Sequence, residues 1–301
     1  MPAFTPLAAL ALSLMTVPPL VQTAPDIAPG LALADASPLL DTACAARQRF
    51  DVIPTRFPDA ADSETHILCH GYTLTDGTAA GDAVFTFADE RLVAIETRGA
   101  VEAMRPDTAP VAELDGFAVY MPDNIVIRAG TQQAFRFDAL DLAWMALAWD
   151  NPVWHGNSPA ADAAPFDIPE IVAFGTSLDQ VQAAAATECA LAPIREIADV
   201  WLRTEPARQT QIDCFGPVVA GYPRKLELVF GDGQLEQVWL LLGSADVPRL
   251  RSLMAARYGA PVHVDAQYEV FDNWRIALRK DRPELLIGSD RLAAIWAREG
   301  F

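Results

Sequence analysis

The chain has 301 residues, more than one domain usually holds, and 51% of them are hydrophobic against 21% charged, a balance suited to globular domains with real cores. Lys and Arg number 22 against 40 Asp and Glu, a formal net charge of −18. A surface this acidic repels phosphate backbones and anionic lipid heads, which argues against nucleic acid as a partner.

In chain order, residues 6–20 read PLAALALSLMTVPPL, apolar throughout and short for a bilayer crossing. The length fits the apolar core of a secretory signal, so residues 1–24 are expected to direct export and no stable membrane span is expected once they are removed. No Lys or Arg precedes the run, and a cut after Ala24 leaves Gln22 at a position that favours small residues. Ala32-Leu33-Ala34 fits cleavage better but lies inside the repeat described next; an uncleaved anchor is the alternative. Cys44 is too distant for a lipoprotein attachment site.

Four cysteines follow, Cys44, Cys69, Cys189 and Cys214, 25 residues apart within each pair. Adding 145 carries Thr42-Ala43-Cys44 onto Thr187-Glu188-Cys189, and Ile67-Leu68-Cys69-His70-Gly71 onto Ile212-Asp213-Cys214-Phe215-Gly216. The same shift carries Gly30 onto Gly175 and Leu33 onto Leu178. Later, with small changes of offset, Phe87-Ala88-Asp89 matches Phe230-Gly231-Asp232, Asp123-Asn124 matches Asp272-Asn273, and Asp138, Leu140 and Trp144 match Asp290, Leu292 and Trp296. Ordered agreement of this kind marks an internal duplication. Of the three possible pairings, only Cys44–Cys69 with Cys189–Cys214 repeats the same bond, which points to an oxidising compartment, periplasmic or secreted. Each bond stabilises its unit by about 3 kcal/mol in the chain-entropy model. The alternative is free buried cysteines acting as small apolar residues.

The first copy has Pro38 midway along its expected first helix; Ser37-Pro38 as the start of a shorter helix is the other possibility. Its second helix, around residues 100–104, is stunted and followed by Pro106 and Pro110. Residues 151–172, rich in Pro, Ala and Asp around 157–170, form the expected linker. The second copy is clearer: Ser177 and Gln180 form a capping box ahead of a helix that presents Leu178, Val181, Ala185 and Cys189 on one face. Strands are expected at 196–203, 209–215, 225–230 and 235–242, with a tight hairpin at Gly231-Asp232-Gly233. A helix over 245–258 ended by Gly259, strands at 268–271, 274–279 and 285–287, and a helix over 290–298 complete it. The fold class is therefore α+β: two tandem copies of a helix plus antiparallel-sheet unit, 25–150 and 173–301, each with one disulfide.

Val238, Leu240 and Leu242 alternate with Trp239 and Leu241, so both faces of that strand are apolar. One face is expected under helices; the other is buried against the sister copy or under a partner protein. Gly175-Thr176-Ser177-Leu178 with Val181, then Cys214, then Leu228–Phe230 and the Gly-Asp-Gly hairpin, resembles the β-lactamase-inhibitor-protein fold and the related small outer-membrane assembly lipoproteins. The resemblance covers residues 175–242 and, more faintly, 30–98, and implies a non-catalytic role in binding another envelope protein. The second helix and the strands after it lie outside that small fold, and no partner-binding residue carries over.

His66, Cys69 and His70 form the sharpest chemical constellation, with zinc-type ligands, but Gln211, Cys214 and Phe215 replace them in the second copy. On a strand, His66 and His70 share a face and Cys69 points away. Cys69 as a nucleophile has no neighbouring base on its own side, and Asp59, Asp62 and Glu64 read as a solvated loop before a calcium site. No nucleophile elbow, phosphate loop, dinucleotide fingerprint or His-Glu-x-x-His occurs, and no cofactor is implied. Trp144 and Trp296 read as core; Trp149 and Trp154 lie where a groove between the halves could take a small ligand, and with Trp239 and Leu241 they make the expected interaction surface. The reading is an exported envelope protein of binding type, non-catalytic. Its alternatives are an envelope enzyme, a metal-assisted hydrolase using His66 and His70, and a structural envelope component.

Overall fold

A computed structural model describes residues 27–114, 116–121, 123–128, 130–159 and 166–301. The expected signal segment and part of the expected linker lie outside the described residues.

The first unit begins with α1 (Leu33–Ala43), then β1 (Ala46–Asp51), β2 (Glu64–Thr73), β3 (Ala79–Ala88) and β4 (Arg91–Gly99). A single 3-10 turn at Val101–Ala103 leads to β5 (Ala112–Leu114), β6 (Phe117–Tyr120), β7 (Ile125–Arg128) and β8 (Gln133–Phe137), and the unit closes with α2 (Trp144–Ala148). The second unit repeats the order: α3 (Leu178–Glu188), then β9 (Ile194–Ile197), β10 (Gln209–Val219), β11 (Tyr222–Gly231) and β12 (Gln234–Leu241). It continues with α4 (Asp246–Tyr258), β13 (His263–Val264), β14 (Tyr268–Phe271), β15 (Ile276–Arg279), β16 (Glu284–Gly288) and α5 (Asp290–Glu299). Each unit forms one antiparallel sheet of eight strands, in the order β1-β2-β3-β4-β8-β7-β6-β5 and its counterpart β9-β10-β11-β12-β16-β15-β14-β13. The duplication thus extends to strand order and pairing.

Both expected disulfides are present, Cys44–Cys69 and Cys189–Cys214, each with 5.3 Å between Cα atoms. Each ties the residue that ends the first helix to the middle of the second strand. The alternative of free cysteines, and Cys69 as a nucleophile, are overturned. The Ser177 capping box and the Asp232-Gly233 turn also form as expected. In the first unit Glu90 takes the glycine's place in that turn at φ 62°.

Two readings need correction. Helix α1 runs from Leu33 through Pro38 without restarting at Ser37; the Ser37 hydroxyl bonds back to the Leu33 carbonyl at 2.8 Å. The strand expected at 196–203 ends at Ile197, because Trp201 and Leu202 leave the sheet to bond a side chain described below. At the far end of the expected linker, Phe166 and Ile171 are buried in the core of the second unit.

Alternation sends Val238 and Leu240 into a core shared with α3 and α4, and Trp239 into a cluster with Trp296 of α5. The second sheet thus has helices of its own unit on both faces, α3 and α4 on one and α5 on the other, while β10 and β11 also meet α2 of the first unit. In the first unit, α1 covers β2–β4 on one face, and the 3-10 turn with Val101 and Met104 stands in for a helix over β6–β8. Pro106 and Pro110, lacking amide hydrogens, end that turn early. The opposite face, with Phe117, Val126, Phe135 and Phe137, packs on Trp144 and Met145 of the five-residue α2.

The same face meets the second unit, where α2 lies against β10 and β11. Tyr222 of β11 packs edge-on to Phe57 (6.3 Å between centroids) and Trp144 (6.3 Å), and tilted to Trp149 (5.8 Å). Around this aromatic cluster, residues 55–60 of the first unit clamp onto α4. Arg249 Nη1 donates to the carbonyls of Arg56 (3.1 Å) and Phe57 (2.8 Å), and Nη2 to Thr55 Oγ1 (2.9 Å) and the Ala60 carbonyl. The Ala245 amide donates to the Pro58 carbonyl (2.9 Å), and Gly243 lies so close to Pro58 that a Cβ would overlap it. Replacing Arg249 by Ala is expected to lower stability by about 2 kcal/mol or more, since hydrogen bonds from a charged donor contribute about 1.5–3 kcal/mol each. Urea unfolding followed by tryptophan fluorescence should then separate into two steps; one unchanged transition would show that the clamp does not couple the units.

Candidate functional site

Two features of the seam between the units bear on function: a buried polar chain and a cavity. Glu64, His66 and Thr86 are 3%, 0% and 1% exposed. The register of β2 and β3 sets His66 opposite Thr86, and alternation turns both away from α1. Glu64 Oε2 accepts the amides of Arg56 (2.5 Å) and Phe57 (2.7 Å). A carboxylate that already accepts two amides requires a donor at its other oxygen, so His66 Nε2–H donates to Oε1 (2.9 Å). His66 Nδ1 meets the Thr86 hydroxyl at 3.1 Å. The rings of Phe57 and Trp149 close over the imidazole at 6.4 and 6.0 Å. The chain thus fixes the loop that carries the clamp.

The second copy performs the same task without charge. Gln209, the counterpart of Glu64, accepts the amides of Trp201 and Leu202, the counterparts of Arg56 and Phe57, both at 3.0 Å. Gln211 stands where His66 does. Histidine 66 is therefore a positioning group for a buried carboxylate.

His70 lies four residues along the strand, about 13 Å away at the usual rise per residue. It is exposed and bonds Asp82 Oδ2 at 3.0 Å. Desolvation pulls the Asp82 carboxyl up, but the Gly71 amide and His70 hold it below its usual range. The two histidines do not converge. Asp59, Asp62 and Glu64 do not converge either: Asp59 accepts the Ser244 amide (2.8 Å), and the Asp62 amide bonds Asp89. Among the described residues no three His, Cys, Asp or Glu side chains gather as a metal site would need.

A cavity of about 530 Å³ opens along α2 between the sheets. Phe117, Val119 and Val126 form one wall and Leu191, Phe215, Leu241 and Leu242 the other, with Leu140, Leu142, Trp144 and Leu147 as floor. Volume, apolar walls and position between domains are those of small-molecule sites. Asp59, Asp141, Arg224, Lys225, Arg282 and Glu284 supply the charges of the wall and rim. Burial, and then the charges of Asp141 and Asp246, push the Asp59 carboxyl up against the Ser244 amide that lowers it.

Of the expected interaction residues, Leu241 lines the cavity. Trp239 packs against the second unit's own cluster, under the Arg279 guanidinium at 5.8 Å. Trp149 belongs to the seam cluster, and Trp154 packs beside Phe50, Leu68, Val84 and Val153 with Arg98 over its ring at 4.3 Å. Burial pushes the neighbouring Glu96 carboxyl up, opposed by Trp154 and Arg98. Tyr222 and the Arg249 clamp escaped sequence reading, because the groups they meet lie in the other unit.

No protein-family model, curated protein or solved structure matches the chain.

Glu64→Ala should cost at least about 3 kcal/mol, because it leaves two buried amides and the imidazole unsatisfied. Glu64→Gln, which copies Gln209, should cost no more than about 1 kcal/mol, with His66 switching tautomer to accept from the new amide; chemical denaturation compares the two. Asp59 gives a pH-dependent test. Its raised folded-state pKa means that the folded chain holds this proton more tightly than the unfolded chain, so this contribution is present at low pH and lost as pH rises through the folded value. The stability of wild type relative to Asp59→Asn should therefore increase as the pH falls towards 4, read as the difference in melting temperature; a constant difference would contradict the assignment.

Proposed function

We propose that this chain is an exported, non-catalytic binding protein that holds a small apolar molecule in the cavity between its two units. The observation that carries the reading is the cavity itself: about 530 Å³ of space walled by aliphatic and aromatic side chains from both copies. Burying an apolar ligand there removes its surface and that of the walls from water, at about 25 cal/mol per Å². The clamp at residues 55–60 and Arg249 fixes the walls relative to each other, so little ordering is needed on binding. The export part of the reading is supported by two disulfides, which persist in oxidising compartments, and by the apolar segment at residues 6–20. The His66 and His70 reading of a metal-assisted hydrolase gains no support, because one ring is sealed behind Phe57 and Trp149 and the other faces solvent.

The test uses the full chain, produced with its own leader, recovered by osmotic shock and titrated with the neutral dye N-phenyl-1-naphthylamine. Leu241→Trp and Val119→Trp, both at half-exposed lining positions, fill the space while leaving the cores intact. Each should weaken dye binding about tenfold or more, a change of about 1.4 kcal/mol, without shifting the melting temperature by more than a few degrees. Wild-type protein that binds no dye, or protein retained in the cytosol with reduced cysteines, would overturn the proposal.

A further inference from the structure

We infer that the ligand of the seam cavity is uncharged: an oil-like molecule of drug or single-acyl-chain size, with at most a hydroxyl or carbonyl oxygen at the rim. The inference rests on the binding reading above and comes from the state of the charges around the space. Six ionisable side chains border it, three of each sign. Three of the less exposed ones are already ion-paired inside the protein. Arg224 Nη1 donates to Asp246 Oδ2 at 2.6 Å, Lys225 Nζ to Glu227 Oε1 at 2.7 Å, and Arg279 Nη1 to Glu284 Oε2 at 2.8 Å. Asp59 accepts the Ser244 amide, and Asp141 and Arg282 are exposed, solvated and of opposite sign.

An ion entering the cavity would therefore give up its hydration and find Arg224, Lys225 and Glu284 already ion-paired, Asp59 held by an amide, and only Asp141 and Arg282 at the exposed rim, where water screens them. The buried, unpartnered Arg224 Nη2 can be met by a neutral oxygen. Pulling Lys225 or Glu284 from its partner to serve the ligand would leave that partner's charge uncompensated instead. Anions face a further barrier outside the site, since the chain carries a net charge of −18. A neutral molecule meets none of these costs and gains the whole of the apolar wall. Phe117, Phe215 and Trp144 offer ring faces and edges for a flat or chain-like body.

The test displaces N-phenyl-1-naphthylamine from the full-length, oxidised protein with three probes of equal chain length, each below its micellar concentration: dodecanol, dodecanoate and dodecylammonium. Dodecanol is expected to displace the dye at a concentration at least about tenfold lower than either ion, with no change between low and high salt. Leu241→Trp should abolish the difference along with binding. Dodecanoate binding as tightly as the alcohol, and weakened by Arg282→Ala, would overturn the inference in favour of an anionic head. Dodecylammonium binding as tightly, and weakened by Asp141→Asn, would overturn it in favour of a cationic one. In both cases dye binding still stands, so only the charge assignment falls. Wild-type protein that takes up neither dye nor any probe overturns the binding reading and this inference together.

Discussion

From β12, Val238 and Leu240 point towards α3 and α4 while Trp239 points towards α5, and the first sheet carries the same double demand. An antiparallel sheet that is apolar on both faces has to be covered twice, or it leaves a surface that associates with whatever it meets. The two copies answer this differently. In the second unit the ten-residue α5 lays Leu292 and Trp296 over one face. In the first unit the matching segment is a 3-10 turn over Leu140–Ala143 that runs into the five-residue α2. It ends before Asn151-Pro152, where the residue preceding a proline is held out of helical geometry. The rest of that face is covered by the second unit.

Both the seam and the cavity lie along this segment. Phe57, Trp144, Trp149 and Tyr222 fill the part of the seam nearest the clamp. Beside Leu140, Leu142 and Leu147 the space between the sheets is left open and is lined by apolar side chains of both units. The apolar character of the site thus comes from both copies, because sheet residues of each unit and the helical segment Leu140–Ala148 line one space.

The polar chain under the clamp shows the same economy of parts. Glu64 and Gln209 each bind two amides of the segment between the first two strands, so the task is a property of the fold and not of one copy. In the second copy a neutral amide suffices. In the first, a carboxylate is used in the same place, and a buried carboxylate requires a further donor. His66 supplies it, and Thr86 supplies the partner of the other ring nitrogen where the second copy has Val229. A pair of histidines that looked like metal ligands on the strand therefore separates into a buried support and a surface residue bonded to Asp82.

What the sequence determined by itself is the part of the structure governed by local spacing. Equal cysteine separations and the matched neighbours fixed the duplication and the disulfide pairing; the capping box at Ser177, the Asp232-Gly233 turn and the period-two strands fixed most of the second unit's elements. The tertiary structure decided what spacing cannot encode: which apolar face is covered by which helix, which loop reaches across to Arg249, and where a buried carboxylate finds its donors. The clamp joins residues 189 to 194 positions apart, the helices meet their sheet faces across tens of residues, and the donors of Glu64 come from a loop whose path the sheet contacts set; no local period records such meetings. The cavity belongs to this second class, because it exists only where two sheets, each complete in its own pattern, are held slightly apart.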